Sequence, residues 1–318
     1  VVRLRAEAAK AMKKMTKART KTKNRDRDVQ NSKPFEKFKL SRVGVRAVKK
    51  PVVVRRPDGR TVTLNADIEL FVDLPSDRKG AHLSRNVEIV GEILDESVRS
   101  PVKGLEDLCA KISREMLRRH SYANHTQVRM QADYFLEREH AGKKSIEHYR
   151  LLANATANRE DGTARKMIGV EVTGMTACPC AMETVRSSMA AKYPRHSRMI
   201  SRMPSLTHNQ RNISSLQIEV PEEYDVEADD LIGIIEDSVS SPTYEILKRS
   251  AEGSLVYRAH EKPRFVEDVV RNILSRVLDR YKSLPDSVTV TVFSESQESI
   301  HKHNAFAERV TTLGELRG

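Results

Sequence analysis

One pattern occurs twice in this chain, and it constrains the fold more than any other feature of the sequence. Residues 91–137, "GEILDESVRSPVKGLEDLCAKISREMLRRHSYANHTQVRMQADYFLE", are echoed by "GIIEDSVSSPTYEIL" from 233 and "FVEDVVRNILSRVLDRYKSLPDSVTVTVFSESQE" from 265. In each copy a first helix is predicted to end at S-V-x-S-P, at Pro101 and at Pro242, because proline has no amide hydrogen and its ring clashes with the preceding turn. A second helix follows, with apolar residues at helical spacing: Leu105, Leu108, Ile112 and Met116 in one copy, Val266, Val269, Val270, Ile273 and Val277 in the other. Each second helix leads into an alternating strand, "QVRMQADYF" or "SVTVTVF". Further strands are predicted at "TVTLNADIELFV", "RKMIGVEVTGM" and "NISSLQIEV", and the run from Asp28 to about Val45 reads as an entry segment. The chain therefore reads as a tandem duplication of a β-β-α-α-β-β unit, an α+β fold of antiparallel sheets backed by helix pairs. The division this implies is a tail over residues 1–27, a first unit over 28–165 and a second over 166–318.

The copies differ where chemistry is expected. Between the proline and the shared acidic position, copy one spends five residues (Pro101 to Glu106) and copy two twenty-five (Pro242 to Glu267). An extra segment in one copy of a duplicated fold points to a function the other lacks. Copy two also holds "GMTACPCAMETV" with Cys178 and Cys180, "THNQR" with His208, Glu252, and "ESIHKHNAF" with His301 and His303. Thiol, imidazole and carboxylate are the ligand types for zinc or ferrous iron, and three protein ligands with one open position make a catalytic centre. The i, i+2 spacing of His301 and His303 predicts both rings on one face of an extended segment. Cys109, on the apolar face of its helix, reads as core.

Composition excludes several classes. Three cysteines among 318 residues cannot build a disulfide framework, which favours a reducing cytoplasm. The longest apolar runs stop far short of the roughly 18 residues of a membrane span. The net charge of +12 suggests nucleic acid, but residues 1–27 carry eleven Lys/Arg against Glu7 and Asp26 and so account for most of it. That segment reads as a disordered basic tail that does no catalysis, and nucleic-acid contact is not expected anywhere outside it. Aromatic content of 5% leaves the body without a stacking surface, so a non-enzymatic RNA-binding protein is the weaker alternative. No G-x-x-x-x-G-K-[ST] is present, which removes the P-loop NTPases.

Taken in order, "DVQNSKP", "LSRVGV", "DLPSDRKGAHLSRN", "RKMIGVEVTGM", "GMTACPCAMETV", "THNQR", "YEILKR", "KPRFVED" and "ESIHKHNAFA" resemble the motifs of the type IB GTP cyclohydrolases, over residues 28 to 310 and closest to their archaeal branch. The resemblance implies tandem tunnelling-fold modules, a homotetramer with sites at subunit interfaces, and synthesis of 7,8-dihydroneopterin 2',3'-cyclic phosphate from GTP with ferrous iron, manganese or zinc being alternatives. Carried over by position, the metal ligands are Cys178, His208, Glu252 and His301, the last ahead of His303; which of the two thiols ligates stays open. Glu267 matches the purine-anchoring glutamate, and Cys180 and His303 are left to move protons. Candidates for the triphosphate are Arg78, Lys79, His82, Arg85, Arg211, Lys248 and Arg249, since polyphosphate calls for Lys and Arg. A tunnelling-fold enzyme with a cysteine nucleophile and no metal is the other reading, and it leaves His208, Glu252 and His301 without a role.

Overall fold

A computed structural model describes residues 29–56, 59–140 and 142–318. The basic tail over 1–27 lies outside the described residues.

The first repeat runs β1 (Leu40–Arg55), β2 (Thr61–Leu74), α1 (Leu83–Arg99), α2 (Leu105–Arg119), β3 (His125–His140) and β4 (Lys143–Asn158). The second runs β5 (Ala164–Ala177), α3 (Pro179–Lys192), a 3-10 turn (Pro194–His196), α4 (Ser197–Ile200), β6 (Asn209–Pro221), α5 (Ala228–Glu236), β7 (Ser241–Pro242), α6 (Arg249–Glu261), α7 (Val266–Arg280), β8 (Thr289–Ser296), β9 (Ala305–Thr312) and α8 (Leu313–Arg317). All strands join one antiparallel sheet in the order β1-β2-β3-β4-β5-β6-β8-β9, with the short β7 paired to β5. Beneath its additions the second repeat has the strand and helix order of the first.

Strand alternation sets the two faces of the sheet. Val128, Met130, Ala132 and Tyr134 of β3 are buried toward the helices, while Arg129, Gln131 and Asp133 face the other way. On that open face charges pair across strands, as in Arg46 with Glu69 and Arg150 with Glu171. The predicted apolar stripes of the long helices are buried against the sheet: Leu105, Leu108, Ile112 and Met116 on α2, and Val266, Val269, Val270, Ile273 and Val277 on α7. Each such side chain contributes about 1.5–3 kcal/mol. Cys109 is fully buried in the core, which pushes its thiol pKa up.

Several elements depart from the sequence reading. The presumed entry segment contains the start of β1, a 16-residue strand. Its bulges at Leu40/Val43 and Val45/Val48 break the period-two alternation that marks a strand. β4 and β9 are the closing strands that the β-β-α-α-β-β unit requires, at positions that the sequence reading did not assign. The second S-V-x-S-P does not close a helix: α5 ends at Glu236, and Ser241–Pro242 form β7, Pro242 lying opposite Gly174. The excursion of α3, the 3-10 turn and α4 between β5 and β6 gives little periodic signal, because Met182 is the buried residue of α3.

Candidate active site

The site forms where the second repeat's strands end together. β5 and β6 pair as far as the last residue of β5 and the first of β6, Ala177 opposite Asn209, so Cys178, just after β5, and His208, just before β6, stand side by side at the sheet's end. The Cys178 amide donates to the His208 carbonyl at 3.0 Å, and the Thr207 hydroxyl donates to the Cys178 carbonyl at 2.7 Å. Cys178 caps α3: its Sγ accepts from the Ala181 amide at 3.5 Å and Pro179 takes the first helical position. The Arg264 amide donates to the Ala177 carbonyl at 3.0 Å, which holds the start of α7 against the same strand end. Glu267 stands in the first turn of that helix. From the other side, the segment after β8 brings in Glu298, His301 and His303.

These groups line a cavity of about 230 Å³ shared by Cys178, His208, Gln210, Glu267, Glu298, His301 and His303. His301 and His303 stack with centroids 5.2 Å apart and planes 14° from parallel. They do so from a non-strand loop, so the predicted shared face is reached without an extended segment. The His208 ring stands edge-on to His301 at 6.5 Å. Its Nδ1 lies 3.0 Å from Gln210 Oε1 and 3.7 Å from Glu298 Oε2, and Gln210 donates from Nε2 to Glu298 Oε1 at 3.2 Å. Glu298 Oε2 is buried with no hydrogen-bond partner. Beneath the cavity Thr176, Asn212, Ser214, Ser294 and Ser296 are buried and hydrogen-bonded to one another, giving a rigid polar floor.

The remaining candidates lie elsewhere. Cys180 is exposed in the first turn of α3, outside the cavity lining. Glu252 is exposed in the first turn of α6, and Lys248 and Arg249 are exposed at the start of that helix; none of the three lines the cavity. Arg211 is exposed on β6, on the face opposite the buried Gln210 and Asn212. Arg78, Lys79, His82 and Arg85 gather at the far end of the sheet. There Arg78 lies over the Tyr122 ring at 4.2 Å and His120 Nε2 is 2.7 Å from Asn86 Oδ1. Burial, with Arg85, His82 and Arg78 nearby, lowers the His120 pKa to about 4, so this ring stays neutral beside the cations.

Sequence reasoning missed Glu298 and Gln210. Both sat inside quoted motifs, and the signal for Glu298 is an acidic residue three positions before His301 in the loop that delivers it. Among the described residues no three Cys, His, Asp or Glu side chains close on a common ion position. The donor types still suit a borderline cation: one thiol, the imidazoles of His208 and His301, and the unpartnered carboxylate oxygen of Glu298.

A helix-backed antiparallel sheet built from two β-β-α-α-β-β units, with a thiol, imidazoles and carboxylates at one strand end, defines a tunnelling-fold protein. In fold the chain is similar to the uricase from Arthrobacter globiformis, with a TM-score of 0.52 and 8% identity over 85% of this chain and 93% of that one. The sequence profile of the family described as type I GTP cyclohydrolase folE2 matches residues 27–307. GTP cyclohydrolase MptA of Methanosarcina mazei is 44% identical over 304 residues, spanning 91% of this chain and 96% of the relative. The MptA of Methanothermobacter thermautotrophicus is 44% identical over 300 residues, spanning 91% and 94%. The chain belongs to the type I GTP cyclohydrolase family, and it is an enzyme. Among the described residues no helix is long and apolar enough to cross a membrane.

Proposed function

We propose that the protein converts GTP and water to 7,8-dihydroneopterin 2',3'-cyclic phosphate, formate and diphosphate, the first step towards tetrahydromethanopterin, with ferrous iron as its metal. The observation that carries this reading is the meeting of Cys178, His208, Glu267, His301 and His303 in one cavity of a chain 44% identical to archaeal GTP cyclohydrolases. Cys178, His208 and His301 are the residues that would hold the ion, with Glu298 as the cavity's own carboxylate; Glu252 would have to reach it from outside this lining. A divalent ion held there would supply Lewis acidity, bringing the pKa of water towards neutrality where C8 of guanine is to be attacked.

The chain's own residues account for the rest of the reaction. A carboxylate accepts two hydrogen bonds, so Glu267 matches the N1-H and N2 amino group of guanine, a pair that adenine lacks. Gln210, itself held by Glu298 Oε1, fixes the His208 ring through Nδ1 and leaves its other nitrogen free to ligate. His303, stacked on His301, is placed to carry a proton to a departing ring nitrogen. Cys180, two residues from Cys178, is the second proton carrier.

Anaerobic incubation with GTP and Fe(II), with identification of the products, tests the reading. Full turnover after exhaustive chelation would refute the metal. In metal analysis, Cys178→Ala and His208→Asn should lose bound ion, whereas Cys180→Ala should keep most of it and lose turnover. The reverse pattern for the two cysteines would exchange their roles.

A further inference from the structure

The two halves of the chain differ sharply in the link between their first two strands. Residues 56–60 join β1 to β2, whereas residues 178–208 join β5 to β6 and include α3, the 3-10 turn and α4. The charge of this excursion is as distinctive as its length. From 184 to 218 the chain carries six Lys/Arg and no Asp or Glu. This stretch and the tail over 1–27 together exceed the net charge of +12, so the remaining residues are net acidic. The cations of the excursion are therefore a local concentration and not the background of a basic protein.

Arg195, Arg198 and Arg202 succeed one another at spacings of three and four, which puts them on one side of the run from the 3-10 turn through α4. Arg202 closes that run, its amide donating to the Met199 carbonyl at 3.1 Å. With His196, Met199 and Met203 the three arginines line a cavity of about 420 Å³, and among the described residues no acid lines it. Elsewhere on the surface arginines are matched by acids, as Arg276 is by Asp237 and Arg280 by Asp230. Among the described residues the guanidinium groups of Arg195, Arg198 and Arg202 have no ion pair or hydrogen bond. Like charges one turn apart repel, and neither the 3-10 turn nor α4 buries a residue that would offset the cost. A negative charge long enough to face all three groups would offset it.

A second cavity, of about 550 Å³, shares Arg202 and Met203 with the first and is walled by Pro179, Met182, Pro204 and Pro263. Its acids, Glu183 and Glu261, lie on that side alone, and Arg186, paired with Glu183 at 2.8 Å, has a buried Nε with no hydrogen-bond partner. Among the described residues this cavity has no lining residue in common with the catalytic one, although Pro179 follows Cys178 and Pro263 precedes Arg264. We propose that the excursion is a second anion site, which takes a polyphosphate chain along Arg195, Arg198 and Arg202 and the group attached to that chain in the adjoining hollow. Each guanidinium offers phosphate oxygens a planar fork of N-H donors. Seven residues of helical run cover about 10 Å, a reach met by linked phosphates and not by a single one. Nucleic acid also presents linked charge, but among the described residues no Phe, Tyr or Trp lines either cavity to stack its bases. The site does not depend on the reaction proposed above.

Equilibrium dialysis of the full chain against radiolabelled ATP, with tripolyphosphate as competitor, tests the site. ATP separates it from the catalytic cavity, because adenine lacks the donor pair that Glu267 accepts. One ATP per chain is expected, displaced by tripolyphosphate. Arg195→Gln, Arg198→Gln and Arg202→Gln together should weaken binding about tenfold or more. The three lysine substitutions, which keep the charge and lose the fork, should fall between that variant and the native protein. Glu267→Gln should bind ATP as the native protein does. Equal affinities for ATP and tripolyphosphate would support a site for the free chain, and tighter ATP would support one that also holds a nucleoside. Binding of neither probe, or native affinity in the triple glutamine variant, would overturn the proposal. Loss of ATP binding in Glu267→Gln would move the ligand to the catalytic cavity and overturn it as well. So would capture of a single-stranded RNA through the same arginines when neither small probe binds. ATP held in this way by a protein that fails to turn over GTP would sink the proposed reaction and leave the second site standing.

Discussion

Glu106 and Glu267 hold the same place in the two halves of the chain, the second residue of α2 and of α7, yet their surroundings are opposite. Glu106 is 8% exposed in a nearly filled pocket, its Oε2 lacks a partner, and burial, with Asp107 beside it, pushes its pKa up to about 8. Glu267 is exposed at the rim of an open cavity. The residue before each helix decides which way the carboxylate turns. Gly104 precedes α2, and any Cβ there would collide with the Glu106 carboxylate, so the missing side chain is what lets that group fold inward. Phe265 precedes α7, and its amide is taken by Asp268 at 3.1 Å, which leaves Glu267 to face the cavity. The first repeat's counterpart of Asp268, Asp107, is drawn instead to Lys166 at 2.6 Å. A duplicated acid has thus become a sealed, protonatable group in one half and an open acceptor in the other.

The largest expected effect separates the two in catalysis. Glu267→Gln keeps the size but turns an amino group towards guanine's donors, and leaving those donors unpaired costs roughly 2–4 kcal/mol, about thirty-fold to several hundred-fold in kcat/KM. Glu106→Gln should change kcat/KM by about two-fold at most, since its pocket has no room for a ligand. Steady-state kinetics at equal metal content would break the comparison if the two losses were equal or the larger fell on Glu106.

The next effect runs the other way and appears in stability. Because the folded-state pKa of Glu106 lies near 8, above its ordinary value of 4.5, the folded protein keeps a proton that the unfolded chain releases between those values. Stability is therefore eroded as pH rises through that window and levels off above it. Glu106→Gln removes this slope and should be more stable than the native protein by on the order of 1–3 kcal/mol at pH 8, with a smaller difference at pH 5. Urea denaturation of both proteins at the two pH values measures it. A Gln variant destabilised at pH 8 would mean that the carboxylate is ionised and held in place.

The repeat was legible because both second helices bury stripes at helical spacing, and Val269, Val270 and Ile273 lie in the core where Leu108 and Ile112 lie in the other half. The strands at the sheet's margins were not, since the bulges of β1 disturb the alternation and β9 exposes Phe306 and Val310. Cys178, His208 and the two closing histidines, singled out by their chemistry, and Glu267, singled out by the family resemblance, share one cavity lining, and each lies in a local motif. What motifs could not give is distance. Nothing in "SDRKGAHLSR" says that it lies at the opposite strand end from Cys178, and nothing in "SAEGS" says that Glu252 is exposed on α6 away from the cavity lining. Glu298 became visible only as a buried oxygen without a partner beside His208.

The smallest expected effect tests the cause assigned to the contrast. If the absent side chain at Gly104 is what admits the Glu106 carboxylate, then Gly104→Ala must drive that carboxylate out of its pocket without any change at Glu106 itself. The backbone at Gly104 has φ −148, a conformation that alanine adopts freely, so no strain enters from the main chain. Two small terms then oppose each other. Replacing glycine by alanine at a helix N-cap costs a few tenths to about 1 kcal/mol at any pH, whereas releasing an ionisable carboxyl to water is favourable only where it would otherwise be held protonated, towards pH 8. The variant should therefore be less stable than the native protein by about 1 kcal/mol at pH 5 and nearly equal to it at pH 8. Its stability should fall less steeply between those values, and adding Glu106→Gln to it should change the slope little further. Denaturation curves for the native protein, both single variants and the double variant decide the point through the coupling between the two positions. A Gly104→Ala protein that kept the full native slope would show that the carboxylate stays inside despite the added methyl, and that the pocket lining from Asp225 to Ala228, rather than Gly104, is what makes the two glutamates differ.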